Sequence, residues 1–159
     1  MGRHSLAVKQ LGKGTRTEMR TFSLAGRKQT QDLHSQLVLD HPEGEAEQLH
    51  KCIVYDASGR GVFDGNVRVE KAAQQTDAKQ LSRSLLLVPK ATTNVKPNLQ
   101  IVADDVKCTH GATISDLEDE EVFYFLSRGI SQEEARKSLV YSFGAEVVDR
   151  LPTEATRAR

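Results

Sequence analysis

The sequence predicts a mainly β chain built as a solenoid, with helices confined to its C-terminal end. Apolar residues recur at a sixteen-residue step, at Leu37, Ile53, Val69, Leu85 and Ile101. Turn formers fall between them: His41-Pro42-Glu43-Gly44, Ser58-Gly59-Arg60-Gly61, Pro89 and Lys96-Pro97-Asn98. No helical periodicity occurs before residue 115, which removes the helix a βαβ crossover requires.

The repeat is visible in detail at its start. Leu33-His34-Ser35-Gln36-Leu37-Val38-Leu39-Asp40 returns as Leu49-His50-Lys51-Cys52-Ile53-Val54-Tyr55-Asp56. Val38, Val54, Leu86 and Val102 keep phase and Glu70 breaks it; Asp40, Asp56 and Asp104 share another phase. Short β-rich segments at a fixed step fit coils that stack on one another. Sixteen residues suit either a whole coil or one side of a larger one. An antiparallel sandwich is the competing architecture, and Asp64-Gly65 is a hairpin signal in its favour.

The pattern changes at Ser115. Ser115-Asp116-Leu117-Glu118 reads as a capping box, and Asp119, Glu120 and Glu121 load the turn that follows with negative charge. Val122, Phe123, Phe125 and Leu126 form an apolar face, and Arg128-Gly129 closes the helix. Ser131-Gln132-Glu133-Glu134 is a second capping box. Its helix carries Ala135, Leu139, Phe143, Val147 and Leu151 at a four-residue step before Pro152. This helical hairpin either caps the solenoid or docks a partner. Five of the eight aromatic residues (Phe123, Tyr124, Phe125, Tyr141 and Phe143) lie here, more apolar surface than a cap requires.

Composition narrows the function. In 159 residues, 22 basic and 22 acidic side chains give zero formal charge, which argues against bulk binding to nucleic-acid phosphates. The longest aliphatic run, Leu85-Leu86-Leu87-Val88, is far short of a membrane span. Two cysteines make no disulfide framework and favour a reducing compartment. An apolar share of 38% is thin, as expected of a narrow core or a piece of a larger assembly. Charge is uneven: residues 1–30 hold seven basic residues and one acidic, whereas residues 116–134 hold seven acidic and one basic. The basic block suits a transit peptide or a solvated, irregular start.

Few residues carry chemistry. Gly12-Lys13-Gly14-Thr15 fails as a phosphate loop because Ala7 replaces the first glycine and Gly14 follows the lysine. His34 and His50 share a phase, so they either stack on adjacent coils around a metal or stand on an outward face. Cys108-Thr109-His110 is the sharper signal. On a strand, positions i and i+2 point the same way, so a thiol and an imidazole would stand side by side. Together they would bind a soft or borderline metal, or the imidazole would lower the thiol pKa. The competing reading is a buried structural cysteine beside a surface histidine. Cys52 forms no spacing motif with the pair.

Several segments resemble the SufD branch of the SufB/SufD family of iron–sulfur cluster assembly proteins. They are Lys96-Pro97-Asn98-Leu99-Gln100-Ile101-Val102-Ala103-Asp104-Asp105-Val106-Lys107-Cys108-Thr109-His110-Gly111-Ala112 and Glu121-Val122-Phe123-Tyr124-Phe125-Leu126-Ser127-Arg128-Gly129-Ile130. Gly61-Val62-Phe63-Asp64-Gly65, Gln75-Thr76-Asp77-Ala78 and Leu85-Leu86-Leu87 fit as well. The SufB branch reads His-Glu-Ala where this chain has His110-Gly111-Ala112. The resemblance covers about residues 30–152 and is similar in wording to plastid-type members.

The resemblance implies a right-handed parallel β-helix followed by a C-terminal helical region. It divides the chain into a basic N-terminus over 1–20, coils over 21–114, a helical partner-docking region over 115–152 and a tail over 153–159. It implies a non-catalytic scaffold subunit of the SUF complex, not an enzyme, that pairs with a SufB-like subunit and docks a SufC-like ATPase. His110 is then the candidate ligand and Cys108 its neighbour, with a transient iron–sulfur cluster or iron at the partner interface and no permanently bound cofactor. Docking falls to Phe123, Tyr124, Phe125, Arg128, Leu139 and Phe143. The expected compartment is the chloroplast stroma, with the cytoplasm as the alternative, and neither nucleic acid nor membrane is an expected partner. Family members are longer, with more coils, so the chain matches their later part. A polysaccharide-active β-helix enzyme using the Asp phase, and a plain metal- or partner-binding module, are the alternatives.

Overall fold

The computed structural model describes residues 1–117 and 119–151. Eight strands come first: β1 (Gly2–Gln10), β2 (Arg16–Ala25), β3 (Thr30–Leu39), β4 (Glu45–Val54), β5 (Arg60–Val69), β6 (Thr76–Leu86), β7 (Thr92–Ile101) and β8 (Val106–Ser115). Helices α1 (Asp119–Leu126) and α2 (Gln132–Val148) follow. Odd strands form one sheet, β1-β3-β5-β7, and even strands the other, β2-β4-β6-β8, with every pairing parallel. The chain is therefore a parallel β-helix of four two-sided coils.

Register resolves the period. Gly2 pairs Gln31 and Arg60 pairs Thr92, so one full coil takes 29 to 32 residues and sixteen residues are one side of it. Strand alternation then separates the repeat positions. Leu37 and Val69 are buried in the bore beside Val67 and Leu39. On the even sheet, Gln48, His50, Cys52 and Val54 face the bore, which turns Ile53 and Leu85 to the outer face. Asp64-Gly65 is no hairpin turn. It lies inside β5, paired with His34-Ser35 on one side and Lys96-Pro97 on the other.

The bore is narrow and unusually polar. Small residues fill its corners, among them Ala25, Ala73, Ala91 and Ala103. Ser35, Gln48, His50, Thr76, Gln80, Ser82 and Ser84 are buried as well. This accounts for the thin apolar share: alanine and hydrogen-bonding side chains take the place of large hydrophobes.

Strand structure begins at Gly2, where the sequence suggested a basic segment outside the coils. The basic residues there are matched one coil on. Arg3 meets Asp32 at 2.8 Å, Lys9 meets Asp40 at 2.7 Å and Lys13 meets Glu43 at 2.8 Å. The first capping box is also displaced. Ser115 closes β8, paired with Leu85, so its backbone belongs to the sheet; Glu118 lies outside the described residues. Pro152 and the tail over 153–159 lie outside them too.

The helical pair otherwise follows the sequence. Gly129 takes φ +79° and its N–H donates to the Leu126 carbonyl, the glycine closure expected after α1. Ser131 caps α2 in both directions with Glu134. Ala135 and Val147 are buried, and Gly144 comes close to the Phe22 ring. Helix α2 thus lies on the outer face of the even sheet, over the cross-strand row Phe22, Lys51 and Arg83.

Candidate functional site

The Cys108–His110 pair sits on β8, the last strand of the even sheet. Its register places it on the bore side: Cys108 pairs Ala78 and His110 pairs Gln80, both buried bore residues. Above β8 no further coil is stacked among the described residues, so the same ladder that is buried at Gln48 and Gln80 is exposed at His110. Cys108 is half-buried against the cluster around Leu37, Ala78 and Ala103. Strand alternation sets both side chains on one face, as the spacing predicts.

Electrostatics at the pair are set by its surroundings. Burial pushes the Cys108 thiol above its ordinary pKa, a hydrogen bond with the Ala78 backbone opposes this, and Asp77 adds to the rise. His110 is not among the groups that shift this thiol. Cys52 is raised as well, by burial, and is free like Cys108. No three His, Cys, Asp or Glu side chains converge into a metal site among the described residues. The pair therefore offers at most two donors. Thiolate and imidazole suit iron, and a complete site needs ligands beyond those the described residues bring together.

The two other candidate sets come apart. His34 lies on β3 and His50 on β4, in opposite sheets, so they do not stack on adjacent coils. His34 contacts Asp32 at 2.9 Å. His50 is buried, not outward; it stacks on Phe63 with ring centroids 4.7 Å apart, and its Nδ1 lies 2.8 Å from Thr21 Oγ1. Asp40 and Asp104 follow odd strands whereas Asp56 follows β4, so the Asp phase spans two corners instead of lining one groove. Asp40 pairs Lys9, and Asp56 accepts from Ser58 at 2.6 Å. That arrangement removes the carboxylate cluster a polysaccharide-cleaving reading needs.

The docking candidates divide by direction. Phe123 is 69% exposed and Tyr124 56%, with the Arg128 guanidinium 3.5 Å over the Tyr124 ring. Phe125 is half-buried and meets Tyr124 edge-on. Leu139 is half-buried. Phe143 is turned to the solenoid: Lys51 Nζ sits 4.3 Å above its ring and donates to its carbonyl at 2.8 Å. Tyr141, 73% exposed, is the aromatic of α2 that faces outward. Sequence reasoning missed Lys51, a fully buried lysine that also pairs Glu146. An apolar strand interrupted by a lysine was the available signal.

Comparison with known proteins agrees with the fold. The family model described as SUF system FeS cluster assembly, SufBD core domain, matches residues 1–143. The chain belongs to the SufBD core family. It is 59% identical over 99% of its length to "Protein ABCI7, chloroplastic" of Arabidopsis thaliana, covering 33% of that protein. It is 46% identical over its full length to the "Iron-sulfur cluster assembly SufBD family protein slr0076" of Synechocystis, covering 35%. Against "Iron-sulfur cluster assembly protein SufD" of Escherichia coli it is 39% identical over 91% of its length, covering 34%. This SufBD chain thus spans about a third of the length of the curated relatives it matches.

Proposed function

We propose that the chain is a non-catalytic scaffold subunit of SUF iron–sulfur cluster assembly. It pairs with a SufB-like subunit at the β7–β8 end and docks a SufC-like ATPase through its helices. The carrying observation is the last coil. Its two strands have no further partners among the described residues, and it presents His110 from a ladder buried everywhere else below the first coil. Ile101, Val102 and Ile114 are exposed around it. Unpaired edges with apolar surroundings favour a strand-bearing partner. Such a partner would supply the donors that Cys108 and His110 lack, so that the nascent cluster forms at the join and leaves as product.

Relatives named for iron–sulfur cluster assembly support the system, and the relative named chloroplastic supports a plastid location, within which we place the chain in the stroma. No described helix is long and apolar enough to cross a membrane. For the ATPase, Phe123, Tyr124 and Arg128 form the exposed anchor. The test is co-purification with SufB-type and SufC-type subunits followed by in vitro cluster assembly. His110→Ala is expected to keep both partners and to lower cluster formation at least about tenfold, since loss of even a hydrogen-bond partner of a metal ligand costs that much. Assembly at the wild-type rate would remove His110 from the site.

A further inference from the structure

The bore behind His110 contains a directed chain of amides. Gln48 Nε2 donates to Ser35 Oγ at 2.6 Å, and Gln80 Nε2 donates to Gln48 Oε1 at 2.9 Å. Gln48 donates across the bore within its own coil, whereas Gln80 donates to the coil before it, and the Gln48 oxygen accepts from the coil that follows. Gln48 Oε1 is thereby satisfied. Gln80 Oε1 is a buried acceptor with no partner among the described residues, on a residue only 2% exposed. The next residue on that ladder is His110.

We infer that Gln80 is a positioning residue for His110: its free Oε1 accepts a ring N–H, which fixes the imidazole in one tautomer. Adjacent strands lie about 4.8 Å apart, so the step from Gln80 to His110 repeats the step from Gln48 to Gln80. A buried carbonyl oxygen that accepts no hydrogen bond is costly, and a neutral imidazole has one N–H to give. The other ring nitrogen then carries a lone pair toward the open end of the coil. Metal-binding histidines are commonly held in this way, with the distal N–H on a carbonyl. Gly65 makes room for the relay, because a Cβ there would lie 2.6 Å from Gln80 Nε2.

This inference rests on the reading of His110 as an iron ligand only for its consequence; its test does not. The whole 159-residue chain, labelled with ¹⁵N-histidine, is examined by long-range ¹H–¹⁵N spectra at alkaline pH. His110 is assigned by its loss in His110→Ala. The wild type is expected to show one dominant tautomer. Gln80→Leu should shift the tautomer ratio by roughly fivefold toward an unbiased mixture. Gln80→Glu, whose carboxylate still accepts, should retain the wild-type ratio.

The buried His50 ring reports whether the bore is intact. If Gln80→Leu disturbs its signals, Gln80→Asn, whose amide is one methylene shorter, takes its place. An unchanged His110 ratio in the variant that leaves His50 intact would overturn the inference. That result would leave the assembly defect of His110→Ala standing, whereas normal assembly by His110→Ala would leave the tautomer result standing.

Discussion

His50 shows what a polar bore does to a titratable side chain. Burial pushes its pKa from the ordinary 6.5 down to about 4. The unfolded chain therefore takes up a proton at higher pH than the folded one. The stability that comes from keeping His50 neutral is full above pH 6.5 and is lost as the pH falls toward 4. We expect urea unfolding to lose on the order of 3 kcal/mol across that window from this group. His50→Gln should flatten the profile between pH 4 and 6.5; an unflattened one would assign the acid sensitivity elsewhere. Gly65 is the second residue whose chemistry is dictated by space. A Cβ there meets the Phe63 ring and Gln80, both held by their own partners. Gly65→Ala should cost about 1–3 kcal/mol by overpacking, read as a lower denaturation midpoint with unchanged slope. Equal midpoints would mean that the bore yields.

At the scale of elements, α2 is held to the even sheet by one buried ammonium. Lys51 is 1% exposed and is satisfied by the Phe143 carbonyl, the Phe143 ring and Glu146, which also pairs Arg83 at 3.6 Å. The Lys51 hydrogen bond holds the Glu146 carboxyl below the usual range. Removing the acid leaves a charge in the interface, whereas removing the lysine leaves a methylene chain's worth of apolar contact. Glu146→Ala should therefore destabilise the α2 contact more than Lys51→Met, by at least about 1 kcal/mol. Amide exchange in α2 measures this, and the reverse order would show that the pair contributes little.

The same elements show why legibility was uneven. The Ser131 cap and the Ala135–Val147 stripe depend on local spacing, and the sequence displays both. The Ser115 box has equally good local chemistry, yet pairing with Leu85 takes its backbone into β8. The sixteen-residue step was visible, but its meaning was not. Inward positions are odd-numbered on β3 and β5 and even-numbered on β4 and β6, so an even step carries Leu37 to Ile53 from the bore to the outer face. The Cys108–His110 face was legible from strand alternation alone. Gln80 was not, because a glutamine in a β segment reads as surface until the register buries it. Strand β1 and the first half of β2 were missed for a related reason, since their inward and outward positions are both rich in polar residues.

For the whole molecule, the decisive asymmetry is between a sheet face covered by a helix and a coil end that is not. Ile101 of β7, Val102 just after it and Ile114 of β8 are exposed beside strand edges that have no further partner among the described residues. Without partners, the chain should associate through this end at high concentration. Val102→Lys combined with Ile114→Lys is expected to raise the monomer fraction in light scattering and to weaken the proposed pairing with a SufB-like subunit. Association unchanged by both lysines would place self-contact on another surface.

The ion pairs along the first coils carry a different consequence. Arg3, Lys9, Lys13 and Arg16 each face an acid one coil on, whereas Lys96 reaches back one coil to Asp64. Stacked coils have nearly interchangeable backbones, and a growing solenoid risks skipping or shuffling a layer. Charges that match only between particular layers mark the first layer against the second and the third against the fourth. Their worth lies less in equilibrium stability, where exposed pairs contribute little, than in proofreading the order in which the layers are laid down.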